Sequence, residues 1–285
     1  MKIIDARVRL PQNLRQTNSY QSMQTDQYDR ILALSDKMNA ATLDILIESM
    51  QAHNVEFAVM HAETEGNESA DFLNSAIAKV VSAHPDKFAG VGTVDLHSHR
   101  ISTVIRQVND ISELGLKGIS VQSAFSGMDI NEKFLYPLYA KAEEMGLILA
   151  VHTGITYSRA HKLSHEKPEL LDAVACDFPD LKIIAAHAGW PWATEMAAVA
   201  SRHPTVYLEF GAIAPKYVAR AGTGWDAMFA LMPNRLSQQI LFGSDWPMMP
   251  HDRLLNEWNE SGLNVQTLQA LFFDNAKKLF GLELK

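Results

Sequence analysis

Apolar runs of strand character alternate along this chain with stretches whose apolar residues recur every three or four positions. The runs fall near residues 2 to 8, 55 to 61, 88 to 94, 116 to 121, 147 to 152, 181 to 187, 205 to 210 and 239 to 244. Between them, Leu43, Leu46, Ile47 and Met50 have helical spacing, as do Phe72, Ala76, Ile77, Val80 and Val81, then Ile101, Val104, Ile105 and Val108. Strands and helices repeating at about 30 residues or more per unit predict parallel strands joined by crossover helices. Eight such units predict an α/β fold, a (β/α)8 TIM barrel, with residues 1–285 as a single domain. Asn131 is the expected N-cap of the fourth helix and Gly146 its stop, while Pro168 and Pro191 suit the first turns of the fifth and sixth. The stretch from Gln12 to Asp36 lacks strong periodicity apart from Ile31, Leu32 and Leu34, and is expected to be an irregular loop at the active site.

Three strands end on a polar side chain. Gly146-Leu-Ile-Leu-Ala-Val-His152, Leu181-Lys-Ile-Ile-Ala-Ala-His187 and Gln239-Ile-Leu-Phe-Gly-Ser-Asp245 each break an apolar run where a parallel barrel collects its catalytic groups. In the first strand, Asp5, Arg7 and Arg9 alternate with Ala6, Val8 and Leu10, so a period of two puts the polar three on one face, pointing inward. Two arginines inside a barrel need partners. Either they pair with Asp5, Glu209 or Asp245, or they receive an anion, a substrate carboxylate or a developing oxyanion.

Composition narrows the possibilities. The chain has 285 residues, 47% hydrophobic and 20% charged, as in an ordinary globular protein. With 33 acidic and 25 basic side chains, the net charge of -8 argues against nucleic-acid binding and against a strongly anionic membrane partner. Cys176 is the only cysteine, which rules out an intramolecular disulfide. No apolar stretch is long enough to span a bilayer and Met1-Lys-Ile-Ile reads as strand rather than signal peptide, so a cytoplasmic protein is expected.

Other candidates lie in loops. Thr153 to Lys167 carries Tyr157, Arg159, His161, Lys162 and His165, a basic run that is either a solvated loop or a lid over an anionic substrate. Trp190, Trp192, Trp246, Met248 and Met249 could form an apolar wall, in part by packing alone. Glu63, Glu65 and Glu209 could partner the arginines, and Glu209 is favoured because Leu208 and Phe210 flank it with opposite parity. His97-Ser98-His99 has the form of a metal motif but follows the third strand, where Ser98 suits an N-cap. His53, His84 and His203 fall on the face away from the catalytic ends.

Asp5-x-Arg7-x-Arg9, His152-Thr-Gly, Ala186-His187-Ala-Gly-Trp-Pro191, Gly243-Ser-Asp245-Trp-Pro247 and Asp274-Asn-Ala-Lys-Lys-Leu-Phe-Gly-Leu282 together resemble the amidohydrolase-related group of the amidohydrolase superfamily. That group includes aminocarboxymuconate-semialdehyde decarboxylase, resorcylate-type decarboxylases and pyrone-dicarboxylate lactonase. The resemblance spans essentially the whole chain. It implies a (β/α)8 barrel, His152 and Asp245 as ligands or catalytic groups, His187 as a proton-transfer residue, and a homodimer. One departure stands out: where the family carries His-x-His on strand 1 as two metal ligands, this chain has Arg7 and Arg9. Arginine stays protonated and offers a metal no lone pair.

The expected function is therefore metal-independent hydrolysis of a lactone or ester in a small carboxylated substrate, with no cofactor. Asp245, His187 and His152 are the expected catalytic set: Asp245 accepts a proton from water, and the imidazoles donate to the oxyanion and shuttle a proton to the leaving group. Arg7, Arg9, Glu209, Trp190, Trp246, Tyr157 and Arg159 are the expected substrate contacts. Two alternatives stay open. One is a decarboxylase of an aromatic or muconate-like acid that holds one zinc or manganese ion through His152, His187 and Asp245. The other is a non-catalytic barrel that binds carboxylates.

Overall fold

The computed structural model describes residues 1–16, 26–63 and 68–284. Eight parallel strands form one sheet in sequence order: β1 (Ile3–Arg9), β2 (Val55–His61), β3 (Phe88–Thr93), β4 (Gly118–Val121), β5 (Ile148–His152), β6 (Ile183–Ala186), β7 (Val206–Glu209) and β8 (Ile240–Leu241). The two ends of the sheet meet. Ala6 N–H donates to Phe242 O at 2.8 Å, Asp245 N–H donates to Arg7 O at 2.9 Å, and Val8 and Trp246 form a parallel bridge. The result is the expected (β/α)8 barrel. Among the described residues, no helix is long and apolar enough to cross a membrane.

Side-chain parity separates inside from outside. Ile4, Ala6, Phe57, Val59, Val91, Ile148, Ala150, Ile184 and Leu241 fill the barrel and share a cluster with Phe273, Ala276, Leu279 and Phe280 of the C-terminal helical segment. Val8, Met60, Ile119, Leu149, Val151, Ile183, Ala185 and Leu208 belong instead to the layer under the surrounding helices. The pattern corrects the reading of β1. Its pairing with β2 shifts register between Asp5 and Val8, and such a bulge resets which side chains face inward. Arg7 and Arg9 are inside, but Asp5 is not. Its carboxylate accepts from Ser244 Oγ and from the ring of His251 at 2.9 Å, and His251 also bonds Ser49 of a surrounding helix. A strict alternation cannot reveal a bulge.

Four local expectations also change. The stretch from Gln12 to Asp36 is partly helical, with a 3-10 turn at Gln12–Leu14 and helices Asp26–Leu32 and Leu34–Asn39; residues 17–25 lie outside the described residues. These short helices are joined by Asp29, whose carboxylate accepts from Ser35 N and Oγ, a tie that apolar periodicity does not register. Asn131 does not cap: a 3-10 turn, Lys133–Leu135, leads into the helix Tyr136–Glu144. Pro191 precedes rather than opens its helix, which begins at Ala193. Ser98 is no cap either, because its N–H and that of His97 are taken by Asp95 Oδ1 and the helix starts at Ile101. Gly146, at φ +67°, and Pro168, first residue of its helix, stand as expected.

Candidate active site

His152 ends β5, His187 follows β6 directly, and Asp245 lies four positions past the end of β8, where a turn begins. His187, Ala188 and Asp245 adopt left-handed backbone with φ of +62°, +47° and +53°. A non-glycine residue held there stores on the order of 1–3 kcal/mol, which concentrates at functional sites. The neighbouring loop must pass close to His187. A Cβ on Gly154 would lie 2.8 Å from the His187 Cβ, so glycine is required at that point.

The three side chains line a cavity of about 70 Å³ with Arg9, Tyr157 and Trp190. That is room for a few water molecules or a reacting group rather than a whole organic substrate. A second, more open space of about 500 Å³ adjoins it and shares Tyr157, Trp190, Ala212 and Ile213. Trp190 stacks on Trp225 there, with centroids 5.3 Å apart and planes at 11°. The smaller chamber holds the titratable side chains, and the larger space, walled in part by aromatic rings, forms a vestibule beside it. Tyr28 and Leu32, from the helix within the unexpected segment, complete the chamber's rim.

A network of buried charges runs from the chamber wall to the residues beneath it. Arg9 grips Asp245 with a fork, Nε to Oδ1 at 3.1 Å and Nη2 to Oδ2 at 3.0 Å, and its Nη1 lies 2.8 Å from Glu63 Oε2. Arg7 donates to Glu63 Oε1 at 2.5 Å, and its Nε stands 3.4 Å from Asp245 Oδ1 and 4.0 Å from Glu209 Oε2. Burial works against the Arg7 charge, but Glu63, Asp245 and Glu209 outweigh it and raise its pKa. Two guanidiniums thus face Glu63 and Asp245, and Glu209 is the third carboxyl. Burial pushes Glu209 up to about 8, so it is mostly protonated at neutral pH.

The histidines have defined roles. His187 Nδ1 is 2.8 Å from Gly211 O. A carbonyl only accepts, so Nδ1 carries the proton and Nε2 carries the lone pair. Burial, then the nearby His152 and Arg7, hold the His187 pKa well below its usual value, which keeps the ring neutral. This reverses the expected direction of hydrogen bonding, because a neutral ring in this tautomer accepts at Nε2 and cannot donate there. His152 pairs through Nδ1 with Glu166 Oε2 at 3.0 Å, and the two rings lie 4.9 Å apart. His61 lies beneath, its ring 3.2 Å from Arg7 Nη1 and 3.0 Å from Ala6 O, with a pKa driven down to about 3 by burial and by Arg7.

The candidates therefore divide. Arg9, His152, His187, Asp245, Tyr157 and Trp190 meet at the cavity. Arg7 and Glu209 are buried beneath it, Trp246 packs in the core, and Arg159 is exposed. Glu65 lies outside the described residues. His97 and His99 are exposed on a loop away from the chamber. Sequence reasoning missed His61 and Glu166. Parity along β2 could have found His61, since Phe57, Val59, His61 and Glu63 share the inner face; nothing in the pattern marks Glu166.

The donor set at the mouth does not fit a divalent metal ion. Both Asp245 oxygens are held by Arg9 and Glu63 is shared between the two arginines, so the carboxylates are already taken by guanidiniums; the Nδ1 bonds of His152 and His187 do not bear on this, since they are of the kind that orients a ring whatever its Nε2 meets. Among the described residues, the three donors grouped tightly enough for one ion are Asp172, Cys176 and His203, none of which lines this cavity.

Comparison with known proteins agrees with the barrel. Over 161 residues the chain is 26% identical to a 2-amino-3-carboxymuconate-6-semialdehyde decarboxylase from Dictyostelium discoideum, a match covering 51% of this chain and 45% of that protein. An uncharacterized TIM-barrel protein from Bordetella bronchiseptica superposes with a TM-score of 0.83 at 26% identity, covering 99% of both chains. A putative 2-pyrone-4,6-dicarboxylic acid hydrolase from Pseudomonas putida gives 0.67 at 20% identity, covering 100% of this chain and 99% of the other. The amidohydrolase family model matches residues 4–282, and the chain accordingly belongs to the amidohydrolase family.

Proposed function

We propose that this protein hydrolyses a lactone or comparable ester of a small carboxylated substrate without a metal ion. The observation that carries this reading is the forked hold of Arg9 on Asp245, at 3.0 and 3.1 Å, in the wall of the cavity. A divalent ion would have to compete with that guanidinium for the carboxylate. At about 5 Å and an effective dielectric of 20, one arginine repels a divalent ion by roughly 7 kcal/mol. Two offset most of the roughly 10 to 16 kcal/mol that a complete structural zinc site supplies.

Arg9 takes over the electrophilic role. Its charge faces the cavity and meets the oxyanion as it develops on the substrate carbonyl. Neutral His187 accepts a proton from water at Nε2 while the water oxygen bonds to the carbonyl carbon. The tetrahedral intermediate then collapses, breaking the bond to the leaving oxygen, which takes up the proton held by His187. An acid and an alcohol or enol result. Glu166 orients His152 beside this relay, and Asp245 holds the Arg9 guanidinium in place rather than serving as the base. Tyr157, Trp190 and the vestibule receive the rest of the substrate. The carboxylated class is supported by the guanidinium at the cavity and by the relatives, a carboxymuconate-semialdehyde decarboxylase and a putative dicarboxylic acid hydrolase among them.

A panel of carboxylated lactones, esters and aromatic or muconate-like acids, offered to chelator-treated protein, tests the reading. Acid release without carbon dioxide supports it. Carbon dioxide release that depends on added zinc or manganese overturns it in favour of a decarboxylase.

A further inference from the structure

The helix Pro168–Asp177 carries Asp172 and Cys176 four positions apart, hence on one face. The next helix, Ala193–Arg202, ends at His203, three residues before β7 begins. These positions lie toward the strands' N-terminal ends, opposite the mouth. One donor atom from each, a carboxylate oxygen, a thiol sulfur and a ring nitrogen, all lie within 4.8 Å of one another.

We infer that Asp172, Cys176 and His203 bind zinc(II), at a site separate from the active site. The donor chemistry decides the ion. Sulfur and imidazole suit zinc, whereas calcium and magnesium require oxygen ligands. Half of the arrangement is already in place, because the His203 ring nitrogen Nε2 is 2.7 Å from Asp172 Oδ1. Zinc binds sulfur at about 2.3 Å and nitrogen at about 2.0 Å, so donors on one ion stand roughly 3 to 4 Å apart. Rotation of the exposed Cys176 side chain closes the difference. The thiol proton leaves to solvent as the sulfur–zinc bond forms, the proton that His203 Nε2 shares with Asp172 moves off that nitrogen by exchange to the Nδ1 tautomer, and water fills the remaining position.

One residue opposes the ion. Arg202 Nη1 lies 3.2 and 3.0 Å from the two Asp172 oxygens. Its side chain is 62% exposed, so it can swing away, but its charge weakens zinc binding while it stays. Occupancy would tie the two helices together and stabilise the folded chain by mass action.

Cobalt(II) titration of the metal-stripped full chain tests this inference. Because Cys176 is the only cysteine, a thiolate-to-cobalt charge-transfer band in the near ultraviolet reports this site alone. The band is expected at one cobalt per chain, displaced by zinc and absent in Cys176→Ser. Affinity should fall roughly 10-fold or more in His203→Ala and in Asp172→Ala, and rise in Arg202→Ala. Circular dichroism verifies that each variant is folded. Absence of the band at saturating cobalt overturns the inference, as does a band whose affinity is unchanged in both His203→Ala and Asp172→Ala.

Discussion

The floor and the wall of the chamber use the same residue types to opposite ends. In the floor, Arg7, His61, Glu63 and Glu209 are sealed from solvent; Arg7 is paired with Glu63, while burial favours the neutral forms of His61 and Glu209. In the wall, Arg9, His152, His187 and Asp245 border open space. Arg7 and Arg9 stand two positions apart on one strand, yet one is an internal counter-ion and the other faces the substrate's place. The lesson is that an arginine inside a barrel is not by itself an anion receptor. Carboxylates pair with both guanidiniums; what distinguishes the two is that Arg9 lines the cavity and Arg7 does not.

The comparison breaks first at Arg7. Arg7→Ala takes one of the two guanidiniums away from Glu63, leaves Asp245 and Glu209 without their nearby Arg7 charge, and should destabilise by about 3–5 kcal/mol, read as a lower urea midpoint. A variant of wild-type stability would show that the floor is no ion-pair network. His187→Asn should do the reverse, lowering kcat by roughly 10²–10⁴-fold while the urea midpoint moves little; asparagine tolerates the left-handed backbone there. Comparable turnover would remove His187 as the base.

The pH dependence sharpens the same contrast. The folded-state pKa of Glu209, about 8, lies above its ordinary value of 4.5, so its contribution to stability is present at low pH and lost as pH rises through 8. His61 contributes in the opposite sense. With a folded pKa of about 3 against an ordinary value of 6.5, its contribution is present above 6.5 and lost as pH falls. Between pH 6.5 and 8 the carboxyl governs, and thermal stability should decline. Glu209→Gln should flatten that decline, and an unchanged slope would assign it to other groups. The smallest effect belongs to Glu166→Gln, which keeps an acceptor near His152 but removes the charge. A kcat reduced about 10-fold with KM unchanged, and a shifted pH–rate profile, would mark Glu166 as a positioning residue.

Much of the fold was legible because buried strands and amphipathic helices write their periods directly into the chain. His152, His187 and Asp245 were legible for the same reason, as polar ends of apolar runs. The division between Arg7 and Arg9 was not. It depends on a bulge between Asp5 and Val8, on Glu63 reaching across from beyond β2, and on a carboxyl at Glu209. The room for that carboxyl comes from a distant glycine: a Cβ on Gly243 would overlap it. Glu166 and Tyr28 reach the site from loop and short-helix segments whose contacts are made in three dimensions rather than by repeat. The tautomer of His187 likewise rests on one carbonyl, Gly211 O, 24 positions away.

The central claim is that a guanidinium does the work of a metal ion at the mouth. It is tested most directly by the turnover of the Cys176→Ser protein, which lacks the thiol of the second site, after exhaustive chelation and with metal content measured on the same sample. The account predicts full hydrolytic turnover with metal far below one ion per chain. Activity that disappears on chelation and returns with one equivalent of zinc or manganese would contradict it.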